Sequence, residues 1–138
     1  MSPHFCVIST TSTATGYASI PTMPATFSTS WRLERIFVLH ADPWPKRRHH
    51  YRRIVQHDTI ARFYELLAPG GILRLATDDP GYLVWILARV TAHPQFRWTG
   101  STIADFIERK EDWPETRYEA KATREGRIPV YMEFRKPA

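Results

Sequence analysis

Two short runs of β-forming residues, each followed by a carboxylate and a proline, most constrain the fold of this chain. Residues 35–39 lead into Asp42-Pro43, and residues 72–77 lead into Asp78-Asp79-Pro80. Runs this apolar are typical of parallel strands that are buried on both faces of a sheet. The sequence therefore predicts an α/β sheet with acidic side chains where two of its strands end.

Helix-like segments follow both predicted strands. Residues 54–67 have one apolar face, with Asp58 as a cap inside the segment or at its true start, and residues 69–71 (Pro-Gly-Gly) end it. A second helix follows Pro80, and its inner face holds Leu83, Ile86, Leu87 and Val90. The remaining predicted elements are a strand over 96–99 and a closing hairpin with arms at 118–123 and 130–134 around the turn 124–127.

The acidic strand ends predict the position of a cleft. In open α/β sheets ligands bind beyond the carboxyl ends of the strands, where helix N-termini and loop backbone groups converge. Asp42 and Asp78 both follow such strand ends. The active cleft is therefore expected between them.

A basic block over residues 46–53 indicates the chemistry of a partner. The chain has 19 Lys or Arg against 14 Asp or Glu, and this block holds five of the basic residues and no acid, so it accounts for the whole net charge of +5. Lys and Arg neutralise phosphates and release condensed counterions, so a nucleic-acid backbone fits best. A metal site at His49 and His50 is not expected, because neighbouring side chains on a regular element point apart and no cysteine or acid flanks them.

Composition sets further bounds. A chain of 138 residues with 43% apolar residues suffices for one domain with a modest core. The single cysteine, Cys6, excludes an internal disulfide and indicates a reducing compartment. No apolar run approaches the roughly 18 residues of a membrane span. A cytoplasmic location is therefore expected.

The first thirty residues differ from the rest of the chain. No Asp, Glu, Lys or Arg precedes Trp31, and no helical or alternating apolar pattern is present there. Neither a secretory signal nor a transit peptide matches this composition. We expect residues 1–31 to be a leader that is disordered or non-homologous to the domain after it.

Four sequence blocks in a fixed order carry a family resemblance. They are Asp42-Pro43-Trp44-Pro45-Lys46 with the basic block behind it, Leu67-Ala68-Pro69-Gly70-Gly71, Ala76-Thr77-Asp78 and Thr116-Arg117-Tyr118-Glu119. From about Arg35 onward the chain resembles the carboxyl-terminal half of the bacterial tRNA guanine-N7-methyltransferases. Taken alone, Asp42-Pro43 is an ordinary turn and the basic block an ordinary solvated face, but the long ordered match favours the functional interpretation.

The resemblance implies a fold, a reaction and a set of site residues. It implies that residues 32–138 are the C-terminal part of a Rossmann-like domain, dependent on S-adenosylmethionine, that methylates N7 of a guanine in the variable loop of tRNA. Asp42 would be the catalytic acid and would also lie against the cofactor. The substrate would be contacted by Lys46, Asp78, Thr116, Arg117, Tyr118 and Glu119. The RNA path would be lined by Arg48, His49, His50, Tyr51, Arg52 and Arg53.

The chain departs from the family's pattern at two positions and lacks one of its motifs. Ala41 stands where the family usually has proline, and Tyr51 where it usually has lysine. The glycine-rich loop that holds the cofactor has no counterpart, because Gly16 is the only glycine before Arg35 and belongs to no G-x-G pattern. The resemblance thus implies a fold truncated at its N-terminal side, with an inner strand edge exposed.

Two functions stay open at this point. The first is a tRNA guanine-N7-methyltransferase, completed by a homodimer or by a missing N-terminal portion. The second is a non-catalytic RNA-binding remnant or partner subunit that lacks the cofactor cradle.

Overall fold

A mixed sheet organises the chain, which this computed structural model describes over residues 6–10, 15–17, 33–111, 113 and 116–138. In these residues the strands are β1 (Cys6–Thr10), β2 (Thr15–Tyr17), β3 (Leu33–Leu39), β4 (Leu67–Thr77), β5 (Arg97–Trp98) and β6 (Val130–Arg135). The helices are a 3₁₀ helix (Arg47–Arg52), α1 (His57–Leu66), α2 (Pro80–Ala92), α3 (Ala104–Ile107) and α4 (Arg117–Arg124). The sheet order is β2-β1-β3-β4-β6-β5, and only the β3–β4 pair among them is parallel. The predicted α/β class is confirmed.

Strands β3 and β4 are buried on both faces, as their apolar sequences predict. On one face Ile36, Val38 and Leu75 belong to the main core, which α1 and α2 cover. On the other face Phe37 packs edge-on against Trp113, with 6.1 Å between the ring centroids. Because these two strands are parallel, their carboxyl ends lie at the same edge of the sheet.

Helices α1 and α2 lie where the sequence predicts them, but the cap of α1 differs. Gln56, rather than Asp58, precedes the first turn, and its backbone N–H donates to the Thr59 hydroxyl at 2.8 Å. At the start of α2 a carboxylate oxygen of Asp79 accepts from the backbone N–H of Tyr82 at 2.7 Å, and Pro80 takes the first helical position, which suits a residue without an N–H.

Strand β4 begins directly after α1, at Leu67. The Pro-Gly-Gly segment of residues 69–71, predicted to end the helix, therefore lies inside the strand. Gly70 has a φ of +78°, which glycine tolerates without a steric penalty, and the pairing with β3 shifts between Leu33 and Arg35. The glycines thus form an irregularity at the start of the strand.

The predicted hairpin in the tail is half wrong. Its second arm is β6, but its first arm, residues 118–123, lies within the helix α4 (Arg117–Arg124). The Thr116 hydroxyl accepts from the backbone N–H of Glu119 at 3.2 Å, and Gly126 closes the helix with a φ of +78°. Thr-x-x-Glu is a sequence signature of a helix start, so residues 116–119 already contained the signal for a helix.

The predicted leader overlaps two of the observed strands. Strand β1 pairs antiparallel with β3, so the exposed edge expected for β3 is covered there. Residues 1–5, 11–14 and 18–31 of the leader lie outside the described residues. The boundary between a leader at 1–31 and a domain at 32–138 stays a prediction.

Candidate active site and basic surface

Asp42 lies in a turn with an unusual backbone directly beyond β3. His40 and Trp44, two residues to either side of it, have φ values of 51° and 43°. Positive φ is uncommon for residues other than glycine, and for a bulky residue such as tryptophan it is an outlier of the kind that clusters at functional sites. The backbone N–H of His40 donates to the carbonyl of Ala76 at 2.8 Å, which ties the start of the turn to β4.

Arg53 reaches back to this turn and holds it. Its Nε donates to the carbonyl of Pro43 at 2.6 Å, and its guanidinium carbon lies 4.7 Å from the ring centroid of Trp85 and 5.3 Å from that of Tyr82. The pKa of Tyr82 is raised above its usual value, first by burial and also by the charge of Asp42, while the charge of Arg53 opposes the rise. The charges of Asp42 and Arg53 therefore act in opposite directions on the same buried hydroxyl.

The burial of Arg53 corrects one expectation. The side chain was predicted to line an RNA path together with residues 48–52, but Arg53 is only 5% exposed. Arg53 packs against aromatic rings of α2 and donates to the backbone of the Asp42 turn. Its guanidinium is therefore not presented to solvent with the rest of the basic block.

The second strand end brings Asp78 into a charged group that joins three elements. Asp78 follows β4 and pairs with Arg127, which follows α4, at 3.0 Å between carboxylate oxygen and Nε. Burial lowers the pKa of His40, and Arg127 adds to the decrease, whereas the negative charges of Asp78 and Glu119 oppose it. The Nδ1 atom of His40 is buried without a hydrogen-bond partner among the described residues. The ends of β3 and β4 lie at the same edge of the sheet, and charges from the first turn of α4 and from the loop after it act on His40 there. A cleft between Asp42 and Asp78 stays a prediction.

The predicted substrate segment, residues 116–119, occupies the start of α4. Glu119 accepts from the Tyr131 hydroxyl at 2.5 Å and pairs with Arg109 at 3.2 Å. Thr116 caps the helix, Arg117 is exposed, and Tyr118 lies in the helix. Sequence reasoning placed Asp78 and Glu119 in one pocket, and the structure brings both near His40. It did not identify His40, Arg109, Arg127 or Tyr131, none of which belongs to a recognisable motif.

The 3₁₀ helix presents most of the basic block to solvent. Its exposed cationic side chains, together with that of the preceding residue, are those of Lys46, Arg47, Arg48 and Arg52. No salt bridge reaches any of these four from the part of the chain that the structure describes. Tyr51 is 72% exposed, and its hydroxyl accepts from Nε of Arg52 at 3.1 Å. Four exposed cations beside an exposed aromatic ring form a surface suited to phosphates and bases.

The two histidines of the block are half-buried anchors of the loop. The ring of His49 meets Trp44 edge-on at 5.9 Å, and the ring of His50 meets Trp85 at 5.1 Å. The guanidinium of Arg52 lies 4.9 Å from the centroid of the Trp44 ring. These contacts join the basic surface to the turn that carries Asp42, so the predicted RNA-binding residues and the predicted catalytic residue lie in one loop.

The described residues contain no group of three or more His, Cys, Asp or Glu side chains arranged to hold a metal ion. Within the same ranges, no helix is both long and apolar enough to cross a membrane.

The described loops do not form a cradle for S-adenosylmethionine. A nucleoside cofactor is approached closely by the backbone of a glycine-rich loop. The loops directly after β3 and β4 contain Asp42-Pro43-Trp44-Pro45 and Asp78-Asp79-Pro80 instead, and the full sequence has no G-x-G pattern. The cofactor contact at Asp42 that the resemblance implies stays a prediction.

Comparison with known proteins gives consistent matches. A family profile described as "Putative methyltransferase" matches residues 19–131. A tRNA (guanine-N(7)-)-methyltransferase of Rhodospirillum rubrum is 57% identical over 104 residues, which are 75% of this chain and 41% of the relative. Proteins of the same name from Azorhizobium caulinodans and Zymomonas mobilis are 47% and 41% identical over 102 and 104 residues, covering 74% and 75% of this chain and 44% and 45% of those relatives.

The chain thus spans less than half the length of these curated relatives. The family profile nevertheless covers most of its residues, and the resemblance carried by the four sequence blocks is confirmed. The chain belongs to the methyltransferase family that includes the bacterial tRNA (guanine-N7-)-methyltransferases.

Proposed function

We propose that the protein is a tRNA guanine-N7-methyltransferase that uses S-adenosylmethionine, and that this chain supplies its guanine-recognising and RNA-facing parts. One observation carries the proposal: the Asp42 turn and the exposed cations of the 3₁₀ helix belong to one loop, joined by the contact of Arg52 with Trp44. The names of the relatives support the substrate. A tRNA-modifying role also fits the expected cytoplasmic location.

The chemistry needs few protein groups. Guanine N7 attacks with a lone pair and has no proton to lose, so methylation depends on alignment more than on a general base. The base would become cationic as the new N–C bond forms and the methyl–sulfur bond of the donor sulfonium breaks, which would leave a neutral thioether. A carboxylate held in a half-buried turn stabilises that charge, which is the role we assign to Asp42 together with contact to the methyl donor.

The charged group at the two strand ends forms the proposed guanine pocket. The Watson–Crick edge of guanine offers N–H donors, which carboxylates accept. We assign this acceptor role to Asp78 and Glu119, whose carboxylates are held by ion pairs with Arg127 and Arg109. Thr116, Arg117, Tyr118 and Lys46 complete the set of proposed substrate contacts.

The exposed part of the basic block forms the proposed tRNA surface. Arg48 and Arg52 contact phosphates, Tyr51 offers a ring to a base, and His49 and His50 fix the loop from which these side chains project.

The experiment that tests this proposal measures 7-methylguanosine in a tRNA transcript by mass spectrometry after incubation with S-adenosylmethionine. Two proteins are assayed: the full chain, and the Rhodospirillum rubrum relative with its matching segment replaced by that of this chain. Asp42→Asn should lower the rate about 100-fold or more in whichever protein is active, since it removes the charge but keeps the shape. Glu111→Gln, at an exposed position, is the matched control and should leave the rate unchanged. An inactive chimaera, or full activity of the Asp42→Asn variant, would contradict the proposal.

A further inference from the structure

Arg53 has an environment that sets it apart from the other cations of the basic block. It is 5% exposed, whereas Arg47, Arg48 and Arg52 are exposed. Its side chain makes one hydrogen bond in the described part of the chain, from Nε to the carbonyl of Pro43. Burying a guanidinium costs free energy unless its contacts compensate for the lost hydration. The contacts of Arg53 therefore indicate its role.

Two simpler roles do not fit this geometry. A phosphate contact needs access to solvent, which a side chain at 5% exposure lacks. A structural ion pair needs a carboxylate partner, and within the described ranges no salt bridge involves Arg53. Arg89 adds repulsion, because its pKa is lowered first by burial and also by the charge of Arg53.

The aromatic residues of α2 fix the position of the guanidinium. Trp85 is itself anchored, since its indole N–H donates to the carbonyl of Val55 at 2.7 Å, and Tyr82 is buried in the core. Cation–π contacts of this kind strengthen when they are desolvated. The guanidinium of Arg53 is therefore fixed relative to α2, and its hydrogen bond fixes the position of the Pro43 carbonyl.

We propose that Arg53 is a positioning residue for Asp42: clamped against Trp85 and Tyr82, it hydrogen-bonds to the carbonyl of Pro43 and so aims the turn that carries the carboxylate. The expected effect of Arg53 on catalysis rests on the proposed function, whereas its expected effect on the conformation of the turn does not. The positive φ values of His40 and Trp44 give the turn a conformation that needs such support.

The test compares four variants with the parent. Arg53→Met keeps the apolar contacts but removes the donor and the charge, and Arg53→Lys keeps a cation that is able to donate. Arg52→Met removes an exposed cation of the same loop, and Arg62→Met removes one from α1, outside the site. Thermal unfolding first establishes that each variant is folded. Amide hydrogen exchange over residues 40–51 then reports the turn, and kcat and the salt dependence of tRNA affinity report function.

The proposal predicts a split between these readouts. Arg53→Met should exchange at least about tenfold faster over residues 40–51 and lose at least about tenfold in kcat, as the loss of a charge-assisted hydrogen bond implies, while the salt slope of tRNA binding is unchanged. Arg53→Lys should recover part of both losses. Arg52→Met should lower the salt slope by about 0.7 to 0.9, and Arg62→Met should change neither exchange nor kcat.

Two results would overturn the positioning role. One is unchanged exchange over residues 40–51 in Arg53→Met. The other is a drop of the salt slope in Arg53→Met as large as that in Arg52→Met, which would make Arg53 a phosphate contact. If the parent protein and the chimaera transfer no methyl group, the proposed function fails, and the exchange measurement alone still decides whether Arg53 holds the turn.

Discussion

The salt dependence of tRNA binding follows from counting the cations that the fold exposes. Each phosphate neutralised by Lys or Arg contributes about −0.7 to −0.9 to the slope of log affinity against log salt. The basic block holds five Lys or Arg, which would give about −3.5 to −4.5 if all met phosphates. Because Arg53 is buried, the exposed set is Lys46, Arg47, Arg48 and Arg52. Four contacts predict a slope of about −2.8 to −3.6, a loss of about 50- to 150-fold in affinity between 50 and 200 mM salt.

Fluorescence anisotropy of a labelled tRNA transcript, titrated at four or five salt concentrations, measures this slope. Arg48→Ala should bring it closer to zero by about 0.7 to 0.9, in the same way as any other exposed member of the set. Lys121→Ala, an exposed residue of α4 away from the block, is the control and should leave the slope unchanged. A slope near zero for the parent protein would refute the phosphate interpretation of the basic surface. A slope of about −4.5 would refute the exclusion of Arg53.

Two further predictions concern stability. Burial lowers the folded-state pKa of His40 below its usual 6.5, against the opposing charges of Asp78 and Glu119, so the unfolded state binds more protons and stability should fall as the pH drops below about 6.5. Urea unfolding at pH 7 and pH 5 should show a smaller loss for His40→Gln than for the parent, and an equal loss would contradict the shift. Glu133→Gln should lower the free energy of unfolding by about 3 kcal/mol, because it removes the carboxylate charge that lies 2.7 Å from the buried guanidinium of Arg74. A change below about 1 kcal/mol in chemical denaturation would show that Arg74 is satisfied by other groups.

The strand ends could be read from sequence because their signals are local. Residues 36–39 are apolar without alternation and rich in β-forming residues, which favours a short strand covered on both faces, and the acid and proline beyond them mark its end. The position of Asp42 therefore followed from composition over a few residues. Asp42 and Asp78 follow strands that end at the same edge of the sheet, because β3 and β4 pair in parallel. The grouping of Glu119 with them came from the family resemblance.

The sequence predictions failed where a residue's environment depends on contacts distant in sequence, or where a helix-capping signal was overlooked. The burial of Arg53 depends on Trp85, 32 positions further along the chain, and a run of cations gives no sign of which member turns inward. His40 belongs to no motif, and the charges that act on its pKa come from residues on or next to two other elements, β4 and α4. The helix α4 was predictable in principle, since Thr116 and Glu119 have the spacing of a capping box and residues 119–122 (Glu-Ala-Lys-Ala) are helix formers.

The formation of 7-methylguanosine in tRNA by the chimaera that carries this chain's segment in the Rhodospirillum rubrum relative tests the proposed reaction most directly. We expect methylation of the transcript, a loss of about 100-fold or more with Asp42→Asn, and no loss with Glu111→Gln. Methylation that persists at the parental rate in Asp42→Asn would contradict the assignment of the turn beyond β3 as the reacting centre.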